Sequence, residues 1–577
     1  MVEQMTGHVN AEERKKEWFR EREYGFFFHF LNSGPANTGK NSQWIPMPPT
    51  EWNRRVDSFQ VDLLAEQLHE LRAGFAWLTV GQNSAYYCSP NIVYDTLTGY
   101  TGEASRCSRR DLIADFSDAL AKYEIPLFVY STCMAPGADP LVLQKLKCEQ
   151  AWPEDRRKIV TPEFKRMDEF LKMWTDIHRV WAERWGRKIH GWWIDGTYNP
   201  EFLFDFPEEP NGESFVRALR AGNPDALVAF NPGIQYLPRR NYRGSPESMT
   251  AGEIFDPELA VPSGSSRFSD GLLPFLLTPA GNTWGPRSTL RYSPEKYAEL
   301  TRNITDNGGV IAWDLPFSPE GISRENFHIL RQFADEYRRS RQLFPKTTVQ
   351  ITPPVLDDTE KTEDGFLSLS PESSDLSVFW NGMPVHPPCR LPYSGRKEQR
   401  IELECCGWKR GFSVYAEHRL HLGKDFSKPF CIAGNDGTCI GAYSFALSGN
   451  LFRIHAEITE KEALICKVPW QNSCLELFLA DAERFHRRQF CILHDGRVLE
   501  VHSSGILLPV PFLHCERSRS RESLLLDLTI ELPGPYRNGG FRFEIQQSVN
   551  RNGDALHGVL FGANAESSSC YALVEPD

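Results

Sequence analysis

The sequence lacks the long apolar run that a membrane-spanning helix or a signal peptide requires. Its first 16 residues are polar and charged, and no later stretch resembles a membrane span. We therefore expect no membrane association. We also expect a cytoplasmic location, or a secreted protein if a signal peptide has been trimmed from the chain.

Charge of one sign is nowhere concentrated. The chain has 64 Lys and Arg against 76 Asp and Glu, with a net charge of -12 and both signs scattered along its length. This pattern argues against nucleic acid or an anionic membrane as a partner, because both need a basic patch.

Motifs for several common chemistries are missing as well. The 14 cysteines include no CxxC pair and have no histidine at metal-ligand spacing, so we expect free thiols and no metal site. There is no GxSxG, no glycine-rich phosphate loop and no HExxH. Serine hydrolases, nucleotide-binding enzymes and zinc proteases are therefore disfavoured, and no cofactor is expected.

Aromatic residues, in contrast, are abundant. The 15 Trp and 37 Phe exceed what a core of average composition requires. Aromatic faces bind the apolar C–H faces of sugar rings, although most of these side chains are expected to be core. A length of 577 residues also indicates about three domains, because single cores stop growing near about 250 to 300 residues.

Residues 17–343 alternate between apolar strand-like runs and amphipathic helical segments. Eight strands mostly followed by helices predict a (β/α)8 TIM-like barrel, in which the sixth and seventh strands are the weakest. The predicted helices include 61–71, one that starts after Ser108, 162–185, 214–221, 294–305 and 324–343. The predicted strands are 25–30, 75–80, 126–130, 191–194, 226–230, 248–252, 272–277 and 310–313.

Beyond residue 343 the helical periodicity gives way to short alternating segments. This pattern predicts two β-sandwich-like domains, one over 344–425 and a second over 426–577.

The stretch His190 to Tyr198 contains an apolar, aromatic run that ends in Asp195 and Gly196. A buried parallel strand looks like this where it delivers a carboxylate to a cleft, so Asp195 is a candidate catalytic residue. The alternative is a simple Asp-Gly turn, in which the aspartate caps its own backbone.

The carboxyl ends of barrel strands share one cleft, whatever their separation in sequence. The polar and aromatic residues predicted there describe a sugar-binding pocket better than a phosphate or metal site, and two carboxylates can divide glycosidic cleavage between them. The expected partner is an oligosaccharide or glycoside. The polar residues are His29, Gln82, Asn83, Asp195, Asn231, Glu253 and Asp314, and the aromatic residues are Trp44, Tyr86, Tyr87, Trp193, Trp284 and Trp313.

The barrel resembles the family-29 glycoside hydrolases, which are retaining alpha-L-fucosidases. Their strand-four motif, close to Leu-Trp-Phe-Asp-Gly, matches residues 192–196, and other family landmarks match at 28–29, 110–112, 283–285 and 308–313. The resemblance implies that Asp195 is the nucleophile of a retaining exo-acting alpha-glycosidase.

The second predicted strand departs from that family. Where the family has Lys-His-His-Asp-Gly-Phe, this chain reads Gly81, Gln82, Asn83, Ser84, and an Asn expected at the end of strand eight is Asp314. Because these donors and acceptors select sugar hydroxyls, a glycone other than fucose is one alternative. A catalytically impaired, lectin-like barrel is another.

Glu253 is the candidate acid/base, because it ends the sixth predicted strand and resembles a Gly-Glu segment of some family members. A structural salt bridge is its alternative role. His29 is interpreted as a sugar ligand or a core histidine, and Asn231 and Trp284 are weaker candidates, with packing as the alternative for Trp284.

The C-terminal third resembles a family-9 type carbohydrate-binding module, in which a Trp precedes an apolar, Glu-containing strand. Here Trp470 precedes the segment 474–479. Such a module binds a polymer, braces the enzyme or mediates contacts in a homo-oligomer, and these alternatives stay open.

Overall fold

The computed structural model describes the chain except for several segments. The described residues form two compact units, and the predicted boundary between 425 and 426 lies inside the second. The first unit comprises the described residues of Met1–Trp152, Lys165–Val349 and Glu404–Arg410, and the second those of Gln350–Leu403 and Gly411–Asp577. The segments not described are 1–10, 33–46, 150–165, 198–199, 201–202, 234–239, 243, 260–270, 287, 358–361, 372–374, 461–472, 483–487, 502–506, 521–522, 538–539, 552–553, 563–570 and 576–577.

The first unit is the barrel that the alternating pattern predicts. None of its described helices, nor any described helix elsewhere, is long and apolar enough to cross a membrane. The helices are α1 Ala11–Arg20, α2 Pro49–Asp57, α3 Val61–Glu70, α4 Ile92–Thr98, α5 Leu112–Ala121, α6 Pro140–Lys145, α7 Asp168–Trp185, α8 Gly212–Leu219, α9 Pro294–Thr305 and α10 Arg324–Leu343. The strands are β1 Tyr24–Phe28, β2 Ala76–Thr79, β3 Leu127–Thr132, β4 Ile189–Asp195, β5 Leu227–Phe230, β6 Gly252–Glu253, β7 Phe275–Pro279 and β8 Val310–Asp314.

These eight strands form one parallel sheet in the order β5-β4-β3-β2-β1-β8-β7-β6. The backbone N–H groups of Ser248 and Met249 donate to the carbonyl of Val228, at 2.8 and 3.3 Å, which joins β5 to the segment before β6. Thr250 N–H donates instead to Leu273, so this segment leaves β5 after two residues. The regular strand β6 is therefore shorter than the predicted strand 248–252.

Several helices start at a capping side chain. Ser293 and Ser323 each accept a backbone N–H three residues later, and Pro294 occupies the first turn of α9, where its missing N–H costs nothing. Asp111 caps α5 in the same way. These signals explain why the predicted bounds of α9 and α10 agree with the structure. The predicted helix 162–185 begins outside the described residues, and its described part starts at Asp168.

Aromatic rings fill the interior of the barrel. Trp77 stacks on Phe275 and lies edge-on to Trp193, with centroid separations of 5.4 and 6.4 Å. Side chains alternate along a strand, so Trp193 points into the barrel whereas Trp192 points out and donates its indole N–H to Leu219 O. This alternation puts Asp195 on the inward side, two residues beyond Trp193.

The second unit is built from mainly antiparallel sheets, with parallel pairs between β10 and β18 and between β18 and β30. A five-stranded sheet has the order β19-β20-β21-β27-β26, and a ten-stranded sheet follows the path β11-β10-β18-β30-β28-β22-β23-β24-β25, with β29 paired to β28. Two smaller sheets have the orders β15-β12-β9 and β14-β13-β16-β17. These strands are β9 Thr348–Thr352, β10 Val355–Asp357, β11 Thr362–Glu363, β12 Gly365–Ser370, β13 Ser377–Trp380, β14 Met383–Val385, β15 Cys389–Leu391, β16 Glu398–Cys405, β17 Trp408–Tyr415, β18 Glu417–Leu420, β19 Phe430–Ala433, β20 Cys439–Ser448, β21 Leu451–Thr459, β22 Cys474–Asp481, β23 Arg488–Leu493, β24 Val498–Val501, β25 Leu507–Pro509, β26 Leu513–Arg519, β27 Ser523–Glu531, β28 Phe541–Arg551, β29 Asp554–Val559 and β30 Ala572–Val574.

The expectation of free thiols is wrong for one pair. Cys431 and Cys439 form a disulfide, because the register of β19 and β20 brings their Cα atoms to 6.0 Å. None of the other described cysteines forms a disulfide bond. The predicted Trp470 lies outside the described residues.

We expect Gly191→Ala to destabilise the barrel. A Cβ atom at this position of β4 would lie 2.5 Å from Leu227 O and 2.7 Å from the Phe128 ring, and the backbone carbonyl cannot move aside. Overpacking of this kind costs about 1 to 3 kcal/mol in the free energy of unfolding. Urea denaturation followed by tryptophan fluorescence measures it. As a control, Gly423→Ala meets no described atom within 4 Å and is expected to leave stability nearly unchanged. Equal stability of the Gly191 variant and the wild type would contradict the packing of this strand.

Candidate active site

One amide joins two carboxylates at the strand ends. The Nδ2 atom of Asn231 donates to Oδ1 of Asp195 and to Oε2 of Glu253, each at 2.6 Å. Because both oxygens bond to the same nitrogen, they lie no more than twice that length apart, about 5.2 Å. The structure thus brings together three of the residues predicted from sequence.

The second oxygen of Asp195 accepts a hydrogen bond from a tyrosine. The hydroxyl of Tyr130, on β3, donates to Oδ2 of Asp195 at 2.6 Å, and Gln82 Nε2 donates to the same hydroxyl at 2.6 Å. Tyr130 is not among the residues predicted from sequence, because it closes an apolar strand and there looks like a core aromatic. Its position at the end of a predicted strand was the signal that could have identified it.

The side chain of Asp195 does not cap its own backbone, as the turn alternative would require. Its carboxylate oxygens accept from Asn231 and Tyr130, while its carbonyl accepts from Cys133 N–H at 2.7 Å and extends the pairing with β3. Gly196 follows with φ of 81°, a conformation that glycine adopts readily. The turn therefore begins after Asp195 and leaves its carboxylate half-buried at the mouth of the barrel.

A second carboxylate orients His29. Asp314 accepts from Nδ1 of His29 at 2.8 Å and, with its other oxygen, from the backbone N–H of Gly285 at 2.6 Å. Asp314 is fully buried, and both of its oxygens are occupied by these bonds. With Nδ1 engaged in this way, Nε2 is the ring nitrogen that His29 has for a ligand.

The surroundings of His29 favour its charged form. Burial lowers the pKa of this imidazole, but the charge and hydrogen bond of Asp314, with smaller contributions from Asp195 and Glu253, outweigh burial and raise the pKa above its ordinary value. His29 thus donates a hydrogen bond to Asp314, and the nearby carboxylates favour its protonated form.

Two further predicted residues lie near this group. The ring of Trp284 is partly buried and lies 6.3 Å from the His29 ring, next to Gly285. Trp193 lies deeper, in the aromatic interior of the barrel. Trp284 is therefore the described tryptophan placed to contact a ligand beside His29.

Two predicted aromatic residues, Trp313 and Tyr87, pack away from the group formed by Asp195, Asn231, Glu253 and His29. Trp313 faces away from the barrel interior and donates its indole N–H to Thr301 of α9 at 3.1 Å. Tyr87 is buried with its ring 5.0 Å from that of Trp181 on α7. Both side chains fill the layer between strands and helices.

The last three predicted residues, Tyr86, Asn83 and Trp44, belong to the segments that follow the first two strands in sequence. Tyr86 is buried beneath the guanidinium of Arg106, which lies 4.6 Å from its ring centroid. Asn83 is half-buried, and its carbonyl accepts from Ala138 N–H. Trp44 lies outside the described residues. Within the described part of the chain, no group of three or more His, Cys, Asp or Glu side chains is arranged to hold a metal ion.

No family model matches the sequence, and no curated protein matches it either. Among solved structures, endo-fucoidan hydrolase MfFcnA4 from glycoside hydrolase family 107 aligns over 97% of this chain and 98% of its own, with 11% identity and a TM-score of 0.42. Alpha-L-fucosidase AlfC from Lactobacillus casei aligns over 57% and 99%, with 14% identity and a TM-score of 0.40. Endo-fucoidan hydrolase P5AFcnA, also of family 107, aligns over 54% and 90%, with 13% identity and a TM-score of 0.38.

These neighbours are glycoside hydrolases. The resemblances to family 29 and to a family-9 type carbohydrate-binding module stay predictions, as does the role of each site residue.

We expect Asp314→Asn to lower the pKa of His29, because the asparagine keeps the shape of the acceptor but removes its charge. A histidine whose pKa is raised by folding stabilises the folded state at low pH, and this stabilisation is lost as pH rises through the folded-state value. The free energy of unfolding should thus fall above about pH 6.5 in the wild type and fall less in the variant. NMR titration of the His29 ring measures the pKa directly, and an unchanged value would contradict the coupling to Asp314.

Proposed function

We propose that this protein is a retaining, exo-acting glycosidase of the alpha-L-fucosidase type, with Asp195 as nucleophile and Glu253 as acid/base. The observation that carries the proposal is the separation of the two carboxylate oxygens, at most about 5.2 Å. Retaining enzymes place their two carboxyl groups about 5 to 5.5 Å apart, whereas inverting enzymes need about 6.5 to 9.5 Å for an intervening water.

In the first step, an oxygen of Asp195 forms a bond to the anomeric carbon while Glu253 gives its proton to the departing glycosidic oxygen. The carbon–oxygen bond to the leaving group breaks with its electron pair on that oxygen. The product of this step is a glycosyl ester on Asp195 and an ionised Glu253.

In the second step, Glu253 takes a proton from a water molecule as that water attacks the same carbon from the opposite side. The ester bond breaks, and Asp195 regains its charge. Two inversions at one carbon give overall retention of configuration. The N–H groups of Asn231 face both carboxylates and stabilise the negative charge that moves between them.

The residues beside the two carboxylates suit a sugar. His29 offers its Nε2 atom to a hydroxyl, and Trp284 offers an aromatic face to the C–H side of the ring. A lectin-like role would be favoured by an Asp195 neutralised in an ion pair. In the ranges that the structure describes, no lysine or arginine forms an ion pair with Asp195, whose oxygens accept from neutral donors.

We expect Asp195→Gly to abolish hydrolysis of aryl alpha-L-fucosides, and azide to restore turnover by occupying the space of the lost carboxylate. The azide adduct from this variant should have inverted configuration, because only one displacement remains. Proton NMR of the first product formed by the wild type should show retention. Inversion by the wild type would refute the assignment of Asp195 as nucleophile.

Glu253→Gln is expected to reduce kcat by about 10² to 10⁴-fold, which is the usual contribution of general acid catalysis. The loss in kcat/KM, which reports the first step, should be smallest for dinitrophenyl glycosides, because their leaving group needs no proton. Asp205→Asn, a substitution of an exposed carboxylate on the same barrel, is the matched control and should leave kcat unchanged.

A panel of aryl glycosides assayed with the wild type identifies the sugar. Activity on another glycone would correct the substrate while keeping the mechanism. Binding of one sugar by calorimetry, with neither the wild type nor Asp195→Asn hydrolysing any member of the panel, would favour the lectin-like alternative.

A further inference from the structure

Glu247 is a buried carboxylate outside the proposed catalytic pair, and it bonds to the residue that precedes Asn231. Glu247 is 5% exposed, and its side chain accepts the backbone N–H of Phe230, the last residue of β5, at 3.1 Å. Its other oxygen accepts the backbone N–H of Asn241. One carboxylate therefore ties the end of β5 to a residue of the loop that follows.

Asn241 continues this connection to Thr197, two residues after Asp195 at the end of β4. Its Nδ2 atom donates to both the carbonyl and the hydroxyl of Thr197, each at 3.0 Å. The hydroxyl of Thr197 donates in turn to the carbonyl of Asn231 at 2.6 Å. The chain of bonds that starts at Glu247 thus ends on the backbone of the residue that bridges the two carboxylates.

We propose that Glu247 is a positioning residue of this site, whose carboxylate fixes the backbone of Asn231 and so keeps the Asn231 amide between Asp195 and Glu253. This inference rests on the proposed function, in which that amide serves both catalytic carboxylates. Glu247 itself contacts neither carboxylate in any described hydrogen bond; it acts through Phe230 and Asn241.

The ionised form of Glu247 suits this role best, because a carboxylate has two acceptor oxygens for two N–H donors. The groups around it are the guanidinium of Arg240, which favours its charge, and the hydroxyls of Tyr242 and Ser245. Burial outweighs these groups and the two backbone donors, and raises the pKa of Glu247 to about 7. Its charge therefore changes in the neutral range.

The test is Glu247→Gln in the full chain, assayed with 4-nitrophenyl alpha-L-fucoside. Glutamine has one acceptor oxygen, as protonated glutamate does, so one of the two N–H donors loses its partner. We expect kcat to fall by about a hundredfold, the effect of a small misplacement of catalytic groups, with KM little changed. The ratio of wild-type to variant kcat should rise as pH increases through about 7, because only the ionised wild type holds both donors.

A double-mutant cycle tests whether the effect passes through Asn231. In an Asn231→Ala background, Glu247→Gln should cost little further activity, since the group that it positions is gone. The matched control is Asp111→Asn, which changes a carboxylate that caps α5 far along the chain from Asn231. This control should lower the free energy of unfolding. Its ratio of wild-type to variant kcat should not change with pH, and its effect on activity should add fully to that of Asn231→Ala. The proposal would be overturned if the activity losses of Glu247→Gln and Asn231→Ala were fully additive, or if the ratio of wild-type to Glu247→Gln kcat did not change with pH.

Two further measurements keep the outcome decisive. If Glu247→Gln does not fold, Thr197→Val removes a single hydroxyl of the same chain of bonds and should show the same non-additivity with Asn231→Ala. A crystal structure of the Glu247→Gln or Thr197→Val variant tests the proposal without depending on enzymatic activity. Withdrawal of Asn231 Nδ2 from one carboxylate would support the proposal, and unchanged bonds to both would refute it. A wild type that hydrolyses no glycoside would refute the proposed function and leave this structural result to decide the positioning role.

Discussion

The site depends on one amide that bonds to two acidic side chains at once. An NH2 group has two hydrogens, and Asn231 directs one to Asp195 and one to Glu253. This arrangement limits the distance between the two bonded carboxylate oxygens, provided that the amide does not rotate. The orientation of Asn231 is held by its Oδ1 atom, which accepts Gly233 N–H at 2.9 Å, and by its backbone N–H, which donates to Ile194 O at 2.9 Å. The pairing of β4 with β5 therefore helps to place the amide that bonds to both acids.

Below this amide, the barrel supplies a rigid base. Trp193 lies two residues before Asp195 on the same side of β4 and packs among rings that include Trp77 and Phe275. Large flat side chains lose little conformational freedom when they are buried and exclude water from the base of the cleft. Much of the high aromatic content of the sequence is thus accounted for by the barrel interior and by the layer between strands and helices, where Trp192 and Trp313 lie. Trp284 is the described tryptophan beside His29.

The barrel and the grouping of Asp195, Asn231 and Glu253 could be predicted from the sequence, because strand ends of a barrel converge irrespective of sequence distance. The direction in which adjacent residues point was not predicted, although it follows from the two-residue period of a strand: Trp313 and Asp314 are neighbours and must face opposite sides. Tyr130 was missed because a tyrosine in an apolar run looks like core. The Cys431–Cys439 bond depends on strand register, which the sequence does not reveal without the pairing of β19 and β20.

The hydrogen bond from Gln82 to Tyr130 leaves Gln82 with fewer donors for a ligand. One N–H of Gln82 is committed to Tyr130, and the hydroxyl of Tyr130 is committed to Asp195. Gln82 therefore helps to orient the carboxylate of Asp195 through Tyr130. Asp314 is likewise engaged by other residues, because both of its oxygens accept hydrogen bonds, from His29 and from Gly285. Among the described residues, Nε2 of His29 and the ring of Trp284 are then the groups that the proposed function assigns to contact with the sugar. Since Asp314 binds both His29 and the residue after Trp284, a single buried carboxylate sets the relative placement of the two groups that would contact the sugar.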